Sequence, residues 1–125
     1  MPAPDVMHKA VEAYVDASNR NDKDAVLAMF APDCVWFDPV GQPPHVGRAG
    51  VGEFWDQTRT MADKIEMLLD DVIVCGDEAA MRFRIRATIG GNVLEMDGVE
   101  TFAFAENGLF SLVKAYWDMS RARTS

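Results

Sequence analysis

Apolar residues recur at every third or fourth position in the first half of the chain, which is the spacing of helices that pack against a core. Residues 5–21 predict a first helix, which Asp5 can cap. Its apolar face carries Met7, Ala10, Val11, Tyr14, Val15 and Ser18. Asn21-Asp22 interrupts this pattern and can cap a second, shorter helix that carries Val26, Leu27 and Phe30. Gly47 and Gly50 flank the start of a third helix, whose shared face carries Val51, Phe54, Trp55 and Thr58.

From residue 65 onward the spacing changes to that of strands separated by glycine-containing turns. Residues 65–74 are strand-like, and residues 81–86 alternate apolar side chains with arginines, which is the period of a half-buried strand. Two more strands are predicted over residues 93–105 and 109–119. An earlier strand, at about residues 34–38, ends at Pro39 and Gly41.

The order of these elements, helices first and then a meander of long strands, is typical of the α+β class. The 125 residues fit one domain, residues 1–125. We expect a cone-shaped, curved antiparallel or mixed sheet with the three N-terminal helices covering its concave face. Such a cone has an apolar interior and an open mouth, which suits a small ligand.

Charge and composition narrow the partners and the compartment. The formal net charge of −8 argues against nucleic acid or an anionic membrane as the main partner. The chain opens without a charged-then-apolar leader and contains no apolar run near the ~20 residues of a membrane span, so we expect a soluble cytoplasmic protein. Cys34 and Cys75 are predicted to be two buried free thiols. His8 and His45 are too few and too scattered to suggest a zinc site.

Three polar residues in apolar surroundings are candidates for chemistry. Asp38 ends an apolar strand, Tyr14 lies on the apolar face of the first helix, and Glu100 shares a strand face with Phe102 and Phe104. Each also has an ordinary structural explanation: Asp38 can begin a turn, Tyr14 can be a core residue, and Glu100 can lean into solvent from a strand end. A buried carboxyl of this kind is more often neutral than ionised and unpaired.

Five segments match one known family in order and in spacing. They are AYVDASNRND (13–22), VWFDPVGQPPHVGRAGVGEFW (35–55), DEAAMRFRI (77–85), VETFAF (99–104) and LVKAYW (112–117). On these segments the chain resembles the Δ5-3-ketosteroid isomerases, within the nuclear transport factor 2-like, or SnoaL-like, superfamily of cone-shaped α+β domains. The strand end D-P-x-G is common across that superfamily, whereas Tyr14, Asp38 and an acid near residue 100 together are more specific to the isomerases.

The resemblance implies conversion of 3-oxo-Δ5-steroids to conjugated 3-oxo-Δ4-steroids by intramolecular proton transfer. Asp38 would be the general base, and Tyr14 and a protonated Glu100 would donate hydrogen bonds to the carbonyl oxygen of a small apolar ketone. Neither a cofactor nor a metal is required by this chemistry. The implied lining of the substrate pocket consists of Val15, Phe30, Trp36, Phe54, Trp55, Met81, Phe83, Ile85, Phe102, Val113 and Trp117.

Two positions depart from the pattern of that family. Glu100 is one methylene longer than the usual aspartic acid, which changes its reach and its angle to the carbonyl oxygen. Trp55 stands where some members have a tyrosine that hydrogen-bonds the oxyanion-hole tyrosine. Because an indole only donates, we do not expect an extended phenol network here.

Other functions stay open at this point, because one fold supports many chemistries. They include a cyclase, a dehydratase or an epoxide hydrolase on the same cone, and a non-catalytic small-ligand-binding or dimerisation module. An epoxide hydrolase would need an Asp-Arg-Asp network inside the cone, whereas Arg82, Arg84 and Arg86 are predicted to point outward. We also expect a homodimer, with an outer sheet face that includes Arg82, Arg84, Leu112 and Tyr116 near the partner.

Overall fold

The computed structural model describes residues 1–124, which form three helices and a seven-stranded sheet. The helices are α1 (Pro4–Asn19), α2 (Lys23–Ala28) and α3 (Gly47–Met61). The strands are β1 (Phe30–Phe37), β2 (His45–Val46), β3 (Lys64–Cys75), β4 (Glu78–Ile89), β5 (Asn92–Phe104), β6 (Phe110–Trp117) and β7 (Arg123–Thr124). A short 3-10 turn, Met119–Arg121, precedes β7.

The sheet is mixed, curved and not closed into a barrel. Its strands lie in the order β2-β1-β6-β5-β4-β3, and β7 pairs with β5 beside this path. β1 runs parallel to β6, and the other neighbouring pairs are antiparallel. The predicted α+β cone is therefore confirmed.

α1 packs its predicted apolar stripe against the sheet, and its C-terminal end is fastened to β3. The Asn19 amide donates to the carbonyl oxygen of Met67 at 2.9 Å and accepts from the Met67 N–H at 2.8 Å. The helix ends at Asn19 rather than at the predicted residue 21, because Asn21 has a left-handed φ of 56°. Asp5 lies in the first turn of α1 and is not the capping residue, since the N-cap is Ala3.

The second helix is shorter than predicted. Asp22 caps α2 as expected, because its Oδ1 accepts from the Ala25 N–H at 3.1 Å. The placement of Phe30 on this helix is wrong: Phe30 is the first residue of β1 and pairs with Phe110 of β6. Pro32 explains the difference, since a residue that precedes proline is disfavoured in the helical conformation.

The two cysteines have different environments. Cys34 is fully buried in β1, as predicted, but Cys75 is exposed at the end of β3, so the prediction of two buried thiols is half wrong. Both are free thiols. Within residues 1–124, no helix combines the length and the apolar character that crossing a membrane would need.

The inner face of the sheet is filled on one half and open on the other. On the filled half, the ring of Tyr14 packs edge-on against Phe102 and Phe110 of the sheet strands. On the open half, side chains of the same strands line a cavity instead, among them Met96 of β5. Glu100 lies at the boundary between the two halves, two residues from the buried Phe102.

Candidate active site

A cavity of about 360 Å³ lies between the helices and the open half of the sheet. Tyr14 of α1, Asp38 after β1 and Glu100 of β5 all line it, although they lie on three separate elements. A cavity of this volume is large enough for a small organic ligand. The structure therefore brings the three polar residues that the sequence singled out to one apolar site.

Tyr14 is held in place by aromatic neighbours. Its ring packs edge-on against Phe30, Phe102 and Phe110, with ring centroids 6.3, 5.5 and 5.8 Å away. Burial, followed by the negative charges of Glu100 and Asp38, raises the pKa of the phenol well above its ordinary value. The hydroxyl therefore keeps its proton at neutral pH and acts as a hydrogen-bond donor.

Tyr14 and Glu100 meet at the boundary of the cavity. The Tyr14 hydroxyl donates to Glu100 Oε2 at 3.5 Å, which is long for an O–H···O hydrogen bond. Because these two oxygens are only 3.5 Å apart, a third oxygen can lie about 2.7 Å from both. The pair can therefore donate two hydrogen bonds to one oxygen atom of a ligand, provided that Glu100 carries a proton.

The surroundings of Glu100 favour its protonated form. The residue is 2% exposed, and burial followed by the negative charge of Asp38 raises the pKa of its carboxyl well above the ordinary value. The hydroxyl of Tyr14 and the indole of Trp36 act in the opposite direction, since they favour the charged form, but their effects are smaller. Burial therefore favours the protonated form of Glu100, and a protonated carboxyl has one O–H donor.

Trp36 brings another donor to the same place. Its Nε1 is buried and has no hydrogen-bond partner among residues 1–124. It nevertheless lies close enough to Glu100 to favour the charged form of that carboxyl, which lowers the pKa. The ring is fixed by Phe30 and Phe54, with centroids 5.5 and 5.0 Å away. A buried donor without an acceptor costs about 1–3 kcal/mol, so a ligand oxygen next to this N–H would be stabilised.

Asp38 lies at the end of β1, where the chain bends away at Pro39 through a cis peptide bond. Trp117, at the end of the neighbouring strand β6, donates from its Nε1 to Asp38 Oδ1 at 2.7 Å. Burial raises the pKa of Asp38 to about 6, and the hydrogen bond from Trp117 works against that rise. Asp38 is therefore mostly ionised at pH 7, and its pKa lies near enough to that pH for a general base.

The two carboxyl groups of the cavity have different electrostatic environments. Asp38 is the more acidic, because Trp117 stabilises its charge, whereas Glu100 is almost fully removed from water. The charge on Asp38 raises the pKa of Glu100 further, so ionisation of one group favours protonation of the other. Both carboxyls line the same cavity, so the arrangement is suited to a proton acceptor and an acidic donor in one site.

The predicted apolar lining needs correction for five residues. The residues that do line the cavity are Trp36, Phe54, Trp55, Phe83, Ile85 and Trp117. The others, which belong to the packed core, are Val15, Phe30, Met81, Phe102 and Val113. They face the correct side of the sheet or helix, but they lie on the half that α1 fills. Phe30 and Phe102 support Tyr14 from behind rather than contacting the cavity.

Arg59 is a cavity residue that was not predicted from the sequence. The prediction of outward-facing arginines concerned β4, where Arg84 and Arg86 do form ion pairs with Glu95 on the outer surface. Arg59, on α3, lines the cavity, and its guanidinium carbon lies 3.4 Å from the centre of the Trp55 ring. A signal was present, since Arg59 follows Trp55 by four positions and so shares its helix face.

Asp97, the other acid near residue 100, lies away from the cavity. Its side chain is 55% exposed on the outer surface and pairs with Arg123 at 3.3 Å. The hydrogen bond from Arg123 lowers the pKa of Asp97. Its position opposite to Glu100 agrees with the strand alternation predicted from the sequence.

An open α+β cone with ionisable groups at the boundary of an apolar cavity is the architecture of a domain that binds small apolar ligands. The chain belongs to the SnoaL-like domain family, whose model matches residues 11–113. Among curated proteins, it is similar to a steroid Delta-isomerase of Nocardioides simplex, with 29% identity over 108 residues that cover 86% of each chain. It is also similar to the epoxide hydrolase LasB of Streptomyces lasalocidi, with 39% identity over 51 residues, 41% of this chain and 18% of that protein.

Solved structures agree on the fold. The epoxide hydrolase/cyclase-like enzyme SalBIII, which is described in pyran ring formation in the polyether salinomycin, superposes with a TM-score of 0.88 at 20% identity over 95% of both chains. The protein RV0760c of Mycobacterium tuberculosis superposes with a TM-score of 0.88 at 22% identity over the full length of both. At these identities the likeness concerns the fold alone.

Proposed function

We propose that this protein is a steroid Δ-isomerase that converts 3-oxo-Δ5-steroids to 3-oxo-Δ4-steroids. The observation that carries the proposal is the convergence of Asp38, Tyr14 and Glu100 on one apolar cavity, where burial raises the pKa of both carboxyls and only Asp38 has an indole donor that favours its charge at 2.7 Å. The similarity to a steroid Delta-isomerase over 86% of the chain supports the same reaction. The fold alone would not distinguish it from other chemistries.

The proposed reaction moves one proton and one double bond, with no net gain or loss of atoms. The Asp38 carboxylate removes a proton from the carbon between the ketone and the Δ5 double bond. The electron pair of that C–H bond moves toward the carbonyl oxygen and gives a dienolate. Protonated Asp38 then returns the proton to the far carbon of the former double bond, the carbonyl re-forms, and Asp38 is again ionised. One base suffices because the proton leaves the first carbon and reaches the second on the same face of a flat ring system.

Tyr14 and Glu100 would stabilise the dienolate oxygen. As the negative charge develops there, two short hydrogen bonds from a phenol and a carboxylic acid strengthen, whereas in water the same donors would have to reorient. Loss of one such donor typically costs about 10²–10³ in rate. The unsatisfied Nε1 of Trp36 is a third donor beside the same carboxyl, and it favours a ligand oxygen at this end of the cavity.

The test is an assay of the purified protein with a Δ5-3-ketosteroid, in which formation of the conjugated enone is followed by its ultraviolet absorbance. We expect turnover well above the buffer background. In deuterium oxide, the product should retain part of the transferred hydrogen, because a buried carboxyl carries it between two carbons. A protein that binds the steroid without converting it would be a ligand-binding module, and the proposal would be wrong.

A second candidate function is epoxide opening, and Arg59 is the observation that favours it. The cavity holds an arginine together with two carboxyls, and part of the chain is similar to an epoxide hydrolase. In that reaction the protonated Glu100 would give its proton to the epoxide oxygen, while Asp38 would deprotonate a water or a substrate hydroxyl that attacks the ring carbon. An apolar epoxide belongs in the same assay series, and hydrolysis without any isomerisation would favour this candidate.

We further propose that the protein is a homodimer through the outer face of the sheet. That face carries a groove of about 480 Å³ lined by both charge signs, including Arg82 and Asp97. Tyr116 and Val99 in the same groove are 44% and 39% exposed. A two-fold interface brings the same patch of both subunits together, so opposite charges on one patch can pair across it. Analytical ultracentrifugation at micromolar concentration is expected to give a dimer, and a monomer alone would contradict the proposal.

The hydrogen bond from Trp117 sets the pH dependence of the proposed reaction. The kcat/KM of the wild-type protein should increase as the pH rises through about 6, where Asp38 ionises. In Trp117→Phe the ionised carboxylate loses its indole donor, so the pKa of Asp38 rises and the midpoint moves upward by about 1–2 pH units.

The matched control for this experiment is Tyr116→Phe, which removes a polar group from the exposed outer face. Its midpoint should equal that of the wild-type protein. A midpoint that stays constant or falls in Trp117→Phe would show that the indole does not hold the charged form of Asp38.

A further inference from the structure

Arg59 is held in a fixed orientation by neutral groups. Its Nε donates to Asn21 Oδ1 at 3.2 Å, its Nη1 to Thr58 Oγ1 at 2.9 Å, and its Nη2 to Ser18 Oγ at 3.3 Å. The guanidinium plane also lies over the Trp55 ring, with 3.4 Å between the guanidinium carbon and the ring centre. Nη1 carries two hydrogens and has one acceptor, so one N–H of this group is still available to a ligand.

The positive charge of Arg59 lacks a neighbouring negative charge. Within residues 1–124 no carboxylate oxygen lies within 4.0 Å of its guanidinium, whereas Arg20, Arg84 and Arg123 each pair with at least one carboxylate. A half-buried guanidinium with one N–H free can donate a charge-assisted hydrogen bond to an oxygen of a ligand carboxylate.

A second hollow adjoins the cavity at this arginine. It has a volume of about 250 Å³, and Ser18, Arg59, Ala62 and Ile65 line both spaces. Its remaining lining is polar and consists of Asn19, Asn21, Asp63 and Lys64. The Asp63 carboxylate accepts from the Gly90 N–H at 3.2 Å. A ligand that fills the apolar cavity can therefore extend past Arg59 into a polar space that contains both the Asp63 carboxylate and Lys64, which pairs with Glu66 at 3.7 Å.

We propose that Arg59 and this polar hollow bind the carboxylate of an apolar ketone, so that the substrate is a ring ketone with an acidic side chain rather than a neutral one. The proposal rests on the proposed function for the ketone part and on the geometry of Arg59 for the acid part. Isomerisation itself needs a base and neutral donors, which Asp38, Tyr14 and Glu100 supply. A half-buried cation beside that machinery is explained by recognition of a negative group elsewhere on the substrate.

The competing explanation is that Arg59 only connects α1 to α3 through its hydrogen bonds. The two explanations differ in what they predict for ligands. A structural connection affects the stability of the protein and the affinity for every ligand alike. A recognition site affects the affinity for an acid and leaves the affinity for the corresponding ester nearly unchanged.

The experiment compares a 3-oxo-Δ4-steroid that carries a side-chain carboxylic acid with its methyl ester, because both are products that cannot react further. Binding is measured by titration calorimetry at low and at high salt. In the wild-type protein we expect the acid to bind at least about 10-fold more tightly than the ester, with the advantage reduced by salt. In Arg59→Gln we expect the two affinities to become equal, with the affinity for the ester changed less than about threefold.

Two further variants complete the design. Arg59→Lys keeps the charge but not the planar fork, so it should retain part of the preference for the acid. Arg20→Gln removes an equal charge from an exposed ion pair and should retain all of it. Equal affinities for acid and ester in the wild-type protein, a preference that survives Arg59→Gln, or no binding of either compound would overturn the proposal. Because these titrations involve no turnover, the isomerase assay can fail while the acid preference stands, and the reverse can also occur.

Discussion

Replacing Asp38 with asparagine is expected to lower the isomerisation rate by about 10²–10⁴-fold, the usual contribution of a general base. The amide cannot take up a proton at neutral pH, whereas its oxygen can still accept the hydrogen bond from the indole of Trp117. The variant should therefore keep the shape of the site and lose its base. The measurement is kcat with saturating Δ5-3-ketosteroid, beside the Kd of the Δ4 product.

The product affinity of Asp38→Asn should stay within a few-fold of the wild-type value, because removing the charge does not remove the cavity. Asp97→Asn is the matched control, since it makes the same chemical change in an exposed residue on the outer surface that pairs with Arg123. A loss of less than about threefold in Asp38→Asn, with product binding intact, would rule out Asp38 as the proton carrier.

The same variant should also be more stable than the wild-type protein above pH 6. Folding raises the pKa of Asp38 from 3.8 to about 6, so the folded state binds the proton more tightly and stability falls as the pH rises through this window. At pH 7 the unfavourable ionisation amounts to at most ~3 kcal/mol, and asparagine avoids it. A gain in thermal stability that accompanies a loss of activity is expected where a group that destabilises the folded protein serves catalysis.

The elements of the fold could largely be predicted from the sequence, because periodic burial dictates them. The apolar stripe of α1 and the alternating residues of β4 both reappear in the structure as buried positions. Pairing could not be predicted in full. The parallel contact between β1 and β6 joins residues about 80 positions apart, as in Trp36↔Val113, and neither local propensity nor turn chemistry determines such a register.

The candidate site was predictable in its polar residues and less so in its apolar ones. A carboxyl among phenylalanines is costly unless something uses it, so Glu100 was conspicuous in the sequence. Strand alternation reveals which face a residue occupies but not whether a helix covers that part of the face. Met81 and Ile85 lie on the same face of β4, yet the first is in the core and the second lines the cavity.

Arg59 shows a different limit of the sequence. An arginine at the end of an amphipathic helix ordinarily extends its charged group into water, so the spacing of four positions from Trp55 does not by itself decide that Arg59 lies inward. Its inward position follows from three partners on separate segments, Ser18, Asn21 and Trp55. Contacts of this kind depend on the tertiary arrangement, so they are visible only once the helices are placed.

Replacing Glu100 with glutamine is expected to raise the stability of the protein at pH 8 while it weakens the proposed reaction. In the folded state burial holds the pKa of Glu100 well above its ordinary value of 4.5, so the folded protein binds this proton more tightly than the unfolded chain does. Stability is therefore fully present below pH 4.5 and declines as the pH rises from there toward the folded pKa. Each unit by which folding raises the pKa corresponds to about 1.4 kcal/mol at high pH.

Glutamine has nearly the same shape and does not ionise, so this decline should be absent in Glu100→Gln. The measurement is the denaturant midpoint of unfolding between pH 5 and pH 8, and the wild-type slope should be the steeper one. Because Asp38 and Glu100 influence each other, both substitutions are also combined, which isolates their coupling. Glu53→Gln on the exposed surface of α3 is the control and should follow the wild-type slope.

The rate of the same variant separates two roles of this carboxyl. An amide N–H is a weaker donor than a carboxylic acid but still a donor, so Glu100→Gln should lower kcat by about 10-fold, less than the 10²–10³ typical of complete loss. If Glu100 were instead ionised in the folded state and held by Tyr14 and Trp36, the substitution would lower stability at pH 8 and leave its pH slope unchanged. That result would remove the acid from the oxyanion site and leave Tyr14 and the unsatisfied N–H of Trp36 as the donors there.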